Sequence, residues 1–167
     1  MLLSGDFQLK VADFNLSQYI LSQDDSGLQR EHLSTSSYLA PEVFKSNDYI
    51  LQAVDLFSCG VILFLMVVGS PPFRQANLLD THYKFIYKGQ YSYFWKQIEK
   101  KIPIQLSSSF KELINSLLCY EASERLTLPE IKSHEWYNGK TCSVEELKEE
   151  YEKKKAEIIE VQKKKND

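Results

Sequence analysis

One acidic residue stands where it could bind a metal ion. Asp13 follows an alternation of apolar and polar residues at positions 9–12, which predicts a short, half-buried β-strand. A carboxylate at the end of a strand supplies the hard oxygen ligand that Mg2+ prefers. An aspartate in this position is also an ordinary turn residue, so the pattern alone leaves both interpretations open.

A run of four hydroxyl side chains is the second feature that could take part in chemistry. It consists of Ser34, Thr35, Ser36 and Ser37. These residues end a polar, aperiodic segment, 16–38, which predicts a long surface loop. Loops of more than about 15 residues are usually functional or disordered. Hydroxyl groups in such a loop are accessible, so these four residues are candidate phosphorylation sites.

The histidines and cysteines argue against other chemistries. His32, His82 and His134 are far apart in the sequence, and none groups with a serine or cysteine as in a triad or a zinc site. The three cysteines form no C-x-x-C motif, which favours a reducing, cytoplasmic compartment. Cys59 and Cys119 fall on apolar helix faces, where we expect inert core thiols.

Composition and charge narrow the class of protein. The 167 residues are 43% apolar and 26% charged, as in one globular domain with an appendage. A formal charge of -3 is too balanced to predict a nucleic-acid partner. The most apolar run, 56–68, is shorter than the roughly 20 residues that cross a bilayer. We therefore expect no membrane span and a central helix that is wholly enclosed.

The elements that must position these residues are mainly helical. Ser4, Gly5 and Asp6 predict the turn of a small β-hairpin, and Pro41 can start a short helix. Apolar periodicity and capping residues predict further helices at 52–68, 77–88, 107–120 and from Thr127 to about 134–136.

The composition changes sharply at Ser143. The last 25 residues hold 15 charges, and they open with the capping box Ser143 to Glu146. We therefore divide the chain into a domain, 1–138, and a charged helical tail, 139–167. A coiled-coil-like seam runs along the tail, interrupted by Lys154, and consists of Val144, Leu147, Tyr151, Lys154, Ile158 and Val161. A solvated helix in a monomer is the first interpretation, and association through the tail is the alternative.

Four sequence blocks carry a family resemblance. In order they are LLSGDFQLKVADFN, STSSYLAPE, DLFSCGVILFLMVVGSPPF and SERLTLPEIKSHEW. Together they resemble the C-terminal lobe of a eukaryotic serine/threonine protein kinase, most similar to the calcium/calmodulin-dependent kinase-like group. The resemblance covers residues 2–136. It implies a mainly α fold, with a short N-terminal β-hairpin and, beyond the lobe, the charged C-terminal helix.

The resemblance also implies roles in binding and activation. Asp13 matches the D-F-G aspartate, which holds the Mg2+ bound to ATP, with Asn15 in place of the glycine. Thr35 matches a threonine that positions the acceptor hydroxyl and favours Ser/Thr substrates, with Ser34 in place of a glycine. Glu31 stands where related kinases carry an activating phosphothreonine. It is either a weak constitutive mimic of that phosphate or an exposed loop glutamate.

Further positions are implied to be structural. Glu42 of the Ala40-Pro41-Glu42 motif should pair with Arg125 and so fix the activation segment. By resemblance this segment includes Glu31, Ser34, Thr35, Ser36 and Ser37. Asp55, at the start of the D-x-x-S-x-G motif that ends at Gly60, should accept hydrogen bonds from the backbone of the catalytic loop.

The residues before Asp13 set a limit on activity. They include no histidine or arginine, so they hold no H-R-D-x-x-x-x-N motif, and they hold no glycine-rich phosphate loop. We therefore expect a partial kinase domain that is inactive as the isolated chain and binds ATP and Mg2+ only weakly. The alternative is a non-catalytic, pseudokinase-like module or scaffold that binds protein substrates or regulatory proteins.

Overall fold

A computed structural model describes residues 1–14, 17, 36–45 and 49–166. The chain forms two compact units, Met1–Leu21 with Gly139–Asp167, and Ser22–Asn138. The division into a family domain, 1–138, and a tail, 139–167, stays a prediction.

The first unit contains the expected β-hairpin. Strand β1 (Leu2–Leu3) pairs antiparallel with β2 (Leu9–Lys10), with Leu2 opposite Lys10. The turn closes because the Phe7 N–H donates to the Ser4 carbonyl at 2.9 Å. The hairpin prediction is confirmed, but the expected half-burial is wrong, because the strand residues are exposed in the structure.

The same unit contains a long charged helix, α6 (Val144–Asn166). The capping box that begins it is present, because the Ser143 hydroxyl accepts from the Glu146 N–H at 3.2 Å. In return, the Glu146 carboxylate accepts from the Ser143 N–H at 2.7 Å. Tyr151 meets the ring of Phe7 edge to face at 5.7 Å, within the same unit.

The second unit is helical and is organised around α1 (Leu51–Val68). This helix ends at Gly69, whose φ of 81° lets its N–H bond back to the Leu65 carbonyl. The remaining helices are α2 (Tyr83–Tyr87), α3 (Tyr91–Glu99), α4 (Ser108–Leu117) and α5 (Leu128–Ser133). Within the described part of this unit, three short 3-10 turns accompany them, at Ser36–Tyr38, Pro41–Phe44 and Ala122–Glu124.

Local capping explains where two of these helices begin. The Ser107 hydroxyl accepts from the Phe110 N–H at 3.2 Å and caps α4. At α5 the Glu130 carboxylate accepts from both the N–H and the hydroxyl of Thr127. Pro129 lies in the first turn, where its missing N–H costs nothing.

The core forms where α4 crosses α1. Phe57, Val61 and Phe64 are fully buried on one side of α1. At Gly60 the two helices approach so closely that an added Cβ would lie 2.8 Å from the Leu117 Cβ. Trp95 of α3 donates its indole N–H to Asn115 of α4 at 2.9 Å, which joins a third helix to this layer.

The prediction that α1 is wholly enclosed is wrong. Only six of its 18 residues are buried, and Met66 is 68% exposed. Cys59 is exposed rather than a core thiol, whereas Cys119 is buried as expected. From residue 59 to its end the helix has no polar side chain, so this part of its sequence has no periodicity that would mark the open side.

The length of α1 also bears on the membrane expectation. With 18 residues and a mean hydropathy of 2.2, α1 is long and apolar enough to cross a bilayer. The core helix of a globular domain meets the same criterion, so this is weak evidence for a membrane span.

The helix predicted at 77–88 is shorter than expected. Only Tyr83–Tyr87 is helical, because two side chains before it bind backbone N–H groups. Asn77 accepts from the N–H groups of Leu79 and Asp80. Asp80 accepts from four, and such bonds compete with a helix.

Candidate functional site

The backbone at Asp13 has an unusual conformation. Its φ is 71°, in the left-handed region that few residues other than glycine adopt. Aspartate is among the residues enriched there, and such conformations concentrate at functional sites. The Asp13 side chain is exposed. Asp13 therefore lies three residues after β2, with its side chain accessible to solvent.

The described residues fit only part of a magnesium site. Asp13 offers one hard oxygen ligand of the kind Mg2+ takes alongside nucleotide phosphates. No group of three or more His, Cys, Asp or Glu side chains occurs within 1–14, 17, 36–45 and 49–166 that could hold a metal ion. Asp13 can thus be one ligand, and the described chain does not complete the site by itself.

Part of the predicted activation segment lies outside the described residues. This applies to Asn15, Glu31, Ser34 and Thr35, whose roles stay predictions. The described segment resumes with the turn Ser36–Tyr38, in which Ser37 is partly buried. The Ser58 hydroxyl donates to the Tyr38 carbonyl at 2.9 Å, which attaches this turn to α1.

The Ala40-Pro41-Glu42 motif begins a partly buried 3-10 turn, Pro41–Phe44. Ala40 is 0% exposed, and Pro41 occupies the first turn position. The Val43 N–H donates to the Ala40 carbonyl at 3.2 Å. This turn directs the carboxylate of Glu42 toward Arg125, which lies 83 residues later.

The pair expected between Glu42 and Arg125 is present. The guanidinium binds both carboxylate oxygens, with Nη1 to Oε1 at 2.6 Å and Nη2 to Oε2 at 2.7 Å. This is the parallel, two-bond geometry that only arginine can form with a carboxylate. The arginine side chain is 1% exposed and the glutamate side chain is 17% exposed, so the pair is largely shielded from water.

Arg125 also satisfies the rest of its hydrogen-bonding capacity. Its other N–H groups donate to three carbonyl oxygens, those of Ala53, Cys119 and Tyr120. All five guanidinium donors therefore have acceptors. The Phe57 ring lies 4.9 Å from the guanidinium carbon and covers one face. One side chain thus joins the Pro41–Phe44 turn, α1 and the segment after α4.

Asp55 lies on the open side of α1. Partial removal from water raises the pKa of its carboxyl above the ordinary value. Within the described chain the carboxylate accepts no hydrogen bond. The role of Asp55 as an acceptor for the catalytic-loop backbone stays a prediction.

Sequence reasoning missed Tyr83, whose ring is fully buried between Phe57 and Phe73. Among the described residues its hydroxyl has no hydrogen-bond partner. Burial raises the pKa of Tyr83 far above its ordinary value, so the hydroxyl is protonated at any physiological pH. Nothing in the sequence distinguishes this tyrosine from the nine others.

Comparison with known proteins agrees with the geometry. The family model for the protein kinase domain matches residues 1–137. The chain is 36% identical over 152 residues to CBL-interacting protein kinase 26 of Oryza sativa subsp. japonica, covering 91% of this chain and 29% of the relative.

A second relative supports the same conclusion. CBL-interacting serine/threonine-protein kinase 18 of Arabidopsis thaliana is 35% identical over 137 residues, or 82% of this chain and 24% of the relative. The chain spans about a quarter to a third of the length of the curated relatives it matches. The family match covers far more than half of the 167 residues, and the chain therefore belongs to the protein kinase domain family.

Proposed function

We propose that this chain is the C-terminal lobe of a serine/threonine protein kinase, a transferase that moves the γ-phosphate of ATP to a protein hydroxyl. The observation that carries the proposal is Asp13, held at a φ of 71° inside the segment that matches the kinase family. The named relatives include serine/threonine kinases. From the resemblance of the sequence blocks, we also propose that the kinase belongs to the calcium/calmodulin-dependent kinase-like group.

Each residue then has a defined task. Asp13 supplies one oxygen ligand to the Mg2+ that neutralises the phosphates of bound ATP. Thr35 helps to position the acceptor hydroxyl. The Glu42–Arg125 pair holds the end of the activation segment against α1, and Gly60 lets α4 approach α1. Positioning is most of what a kinase contributes, so these structural residues serve catalysis indirectly.

Asp55 belongs to the same proposal. Its partly desolvated carboxylate faces away from the buried side of α1, where a backbone segment with free N–H groups could be held. In the kinase family this segment is the catalytic loop. Since the residues before Asp13 hold no H-R-D-x-x-x-x-N motif, we propose that the 167-residue chain alone has no turnover and binds ATP weakly.

The proposal is tested by a chimera in which residues 1–137 replace the matching segment of an active relative. We expect the chimera to phosphorylate a Ser/Thr peptide and to gain thermal stability from Mg-ATP. The matched variant Asp13→Asn should lose the Mg2+-dependent part of that stabilisation while its melting temperature without nucleotide is unchanged. A chimera that binds Mg-ATP but phosphorylates no Ser/Thr peptide would show that this lobe is not catalytic.

A non-catalytic module is the second candidate function. It is favoured by Asn15 and Ser34, which stand where kinases usually carry glycine. Under this interpretation the lobe binds protein substrates or regulators. The relatives named above are CBL-interacting kinases, and for this chain we propose a regulatory protein as partner. We further propose a cytoplasmic location, in keeping with three unpaired cysteines.

A further inference from the structure

A cavity of about 600 Å³ lies beside the segment that joins α1 to α2. Its lining includes Ser70, Phe73, Arg74, Leu79, His82 and Lys101. None of these residues belongs to the site described above. The cavity lining combines the buried Phe73 with two cationic side chains, Arg74 and Lys101, which we call the cationic rim.

The wall of this cavity is fixed by Asp80. Its carboxylate accepts from the N–H groups of Arg74, Gln75, His82 and Tyr83, at 2.9, 3.4, 2.8 and 2.9 Å. Partial burial works to raise the pKa of Asp80, but these four donors outweigh it and the pKa is lowered. The negative charge of Asp80 is therefore committed to the backbone, and the loop is organised before any ligand arrives.

Among the residues that the structure describes, no carboxylate pairs with the cationic rim. Within the part of the chain that the structure describes, neither Arg74 nor Lys101 forms an ion pair. The Lys101 ammonium instead donates to Nε2 of His82 at 3.1 Å. Burial and the nearby Lys101 lower the pKa of His82, so the ring is neutral at pH 7 and accepts this bond. Two positive charges are thus available at the rim.

An apolar side chain stands next to these charges. Leu79 is 94% exposed although it lines the cavity, and its neighbour Leu78 is 53% exposed. A leucine held out from a fixed turn beside two cations presents an apolar contact and an anion-binding contact together. Charge complementarity selects the partner, because a segment of acidic and apolar residues matches both.

We propose that this cavity docks an acidic protein segment, with carboxylates on Arg74 and Lys101 and an apolar side chain against Leu79. This docking does not depend on the proposed kinase role, because it is measured as binding and requires no turnover.

The experiment measures fluorescence anisotropy of a labelled peptide that alternates Glu and Leu, with the full 167-residue chain as receptor. We expect the double variant Arg74→Gln with Lys101→Gln to weaken binding about tenfold or more, in line with the loss of charged contacts. Leu79→Ala should weaken it less. The matched control, Lys88→Gln with Lys132→Gln, removes the same charge from exposed residues outside the cavity and should change affinity less than about twofold.

Two further measurements use the wild-type chain and so do not depend on the folding of a variant. A peptide with Gln in place of Glu should bind at least about tenfold more weakly, and added salt should weaken the Glu peptide. The proposal fails if the Gln peptide binds equally well or if the control pair weakens binding as much as the cavity pair. The proposal that the ligand is rich in carboxylates also fails if a phosphoserine peptide lacking Glu binds far more tightly than the Glu peptide.

Discussion

At the residue scale, Arg125 has the largest predicted effect on stability. Arg125→Ala removes all five donors and leaves the Glu42 carboxylate without its partner. We expect the free energy of unfolding to fall by about 3 to 5 kcal/mol, because a partly buried charge is stranded. Arg125→Lys keeps the charge but not the two-bond geometry, so its loss should be intermediate.

Urea unfolding measures this effect. The exposed Lys132→Ala serves as the control and should change the free energy of unfolding by less than about 0.5 kcal/mol. If Arg125→Ala loses no more than the control does, the pair does not stabilise the fold.

Tyr83 gives a prediction of the opposite sign. Its hydroxyl is buried without a hydrogen-bond partner among the described residues, which costs free energy in the folded state. Tyr83→Phe keeps the ring between Phe57 and Phe73. We therefore expect the free energy of unfolding, measured by heat or urea, to rise by about 1 kcal/mol. The half-exposed Tyr87→Phe is the control and should be neutral. A clear loss for Tyr83→Phe would reveal a partner for the hydroxyl.

At the element scale, the crossing of α1 and α4 depends on Gly60. An alanine Cβ would meet the Leu117 Cβ at 2.8 Å, and that atom cannot move without the backbone of α4. We expect Gly60→Ala to destabilise the chain by about 1 to 3 kcal/mol, as overpacking does. Gly5→Ala has open space around the added atom and is the matched control for the same substitution. Equal melting temperatures for the two variants would contradict the close approach.

The loop before α2 gives a prediction about pH. The pKa of Asp80 is lower in the folded chain than in the unfolded chain. The contribution of Asp80 to the free energy of unfolding is therefore fully present above about pH 4. It is lost as the pH falls through the pKa that Asp80 has in the folded chain. Asp80→Asn cannot titrate and offers only one acceptor oxygen. The stability difference between wild type and Asp80→Asn should be largest near neutral pH and should shrink on acidification, measured by urea unfolding at each pH.

A difference that stays constant down to the acid limit would show that the four N–H bonds do not depend on ionised Asp80.

Some of the helix boundaries could be predicted from the sequence and others could not. The starts of α4, α5 and α6 were predictable, because Ser107, Thr127 and Ser143 cap their helices through local hydrogen bonds. The shortening of α2 was not recognised, although Asn77 and Asp80 are residues that bind their own backbone. Helix α3 was also missed, and its signal was the helical spacing of the buried residues Phe94, Trp95 and Ile98.

The candidate site was harder to predict than the helix starts, because its contacts join residues far apart in the sequence. Glu42 and Arg125 lie 83 residues apart, and no local pattern links them, so only the family resemblance brought them together. The open side of α1 could not be recognised along residues 59–68, because this part of the helix has no polar side chain. The cavity beside Leu79 depends on a loop held by Asp80, and such loop geometry has no periodic signature. Roles assigned to Glu31, Ser34 and Thr35 stay predictions.

At the scale of the whole molecule, the charged tail decides the expected state of association. The side chain of Lys154, at the seam of α6, faces Glu150 and Glu157 of its own helix at 3.8 and 3.4 Å. A seam of about three heptads with a lysine in it is marginal as a dimer interface. We therefore expect a monomer in sedimentation experiments, both for the full chain and for residues 1–142. A stable dimer that disappears with the tail would overturn this prediction.

The Glu42–Arg125 pair also has a consequence for how fast the chain unfolds. Forming it closes a loop of 83 residues, so the entropy of closure must be spent before the contact is gained. A contact of such high sequence separation is expected to form after the folding barrier rather than before it. Its loss in Arg125→Ala should then appear as faster unfolding with little change in the folding rate. By slowing unfolding, the pair would hold the Pro41–Phe44 turn in place for longer than equilibrium stability alone indicates.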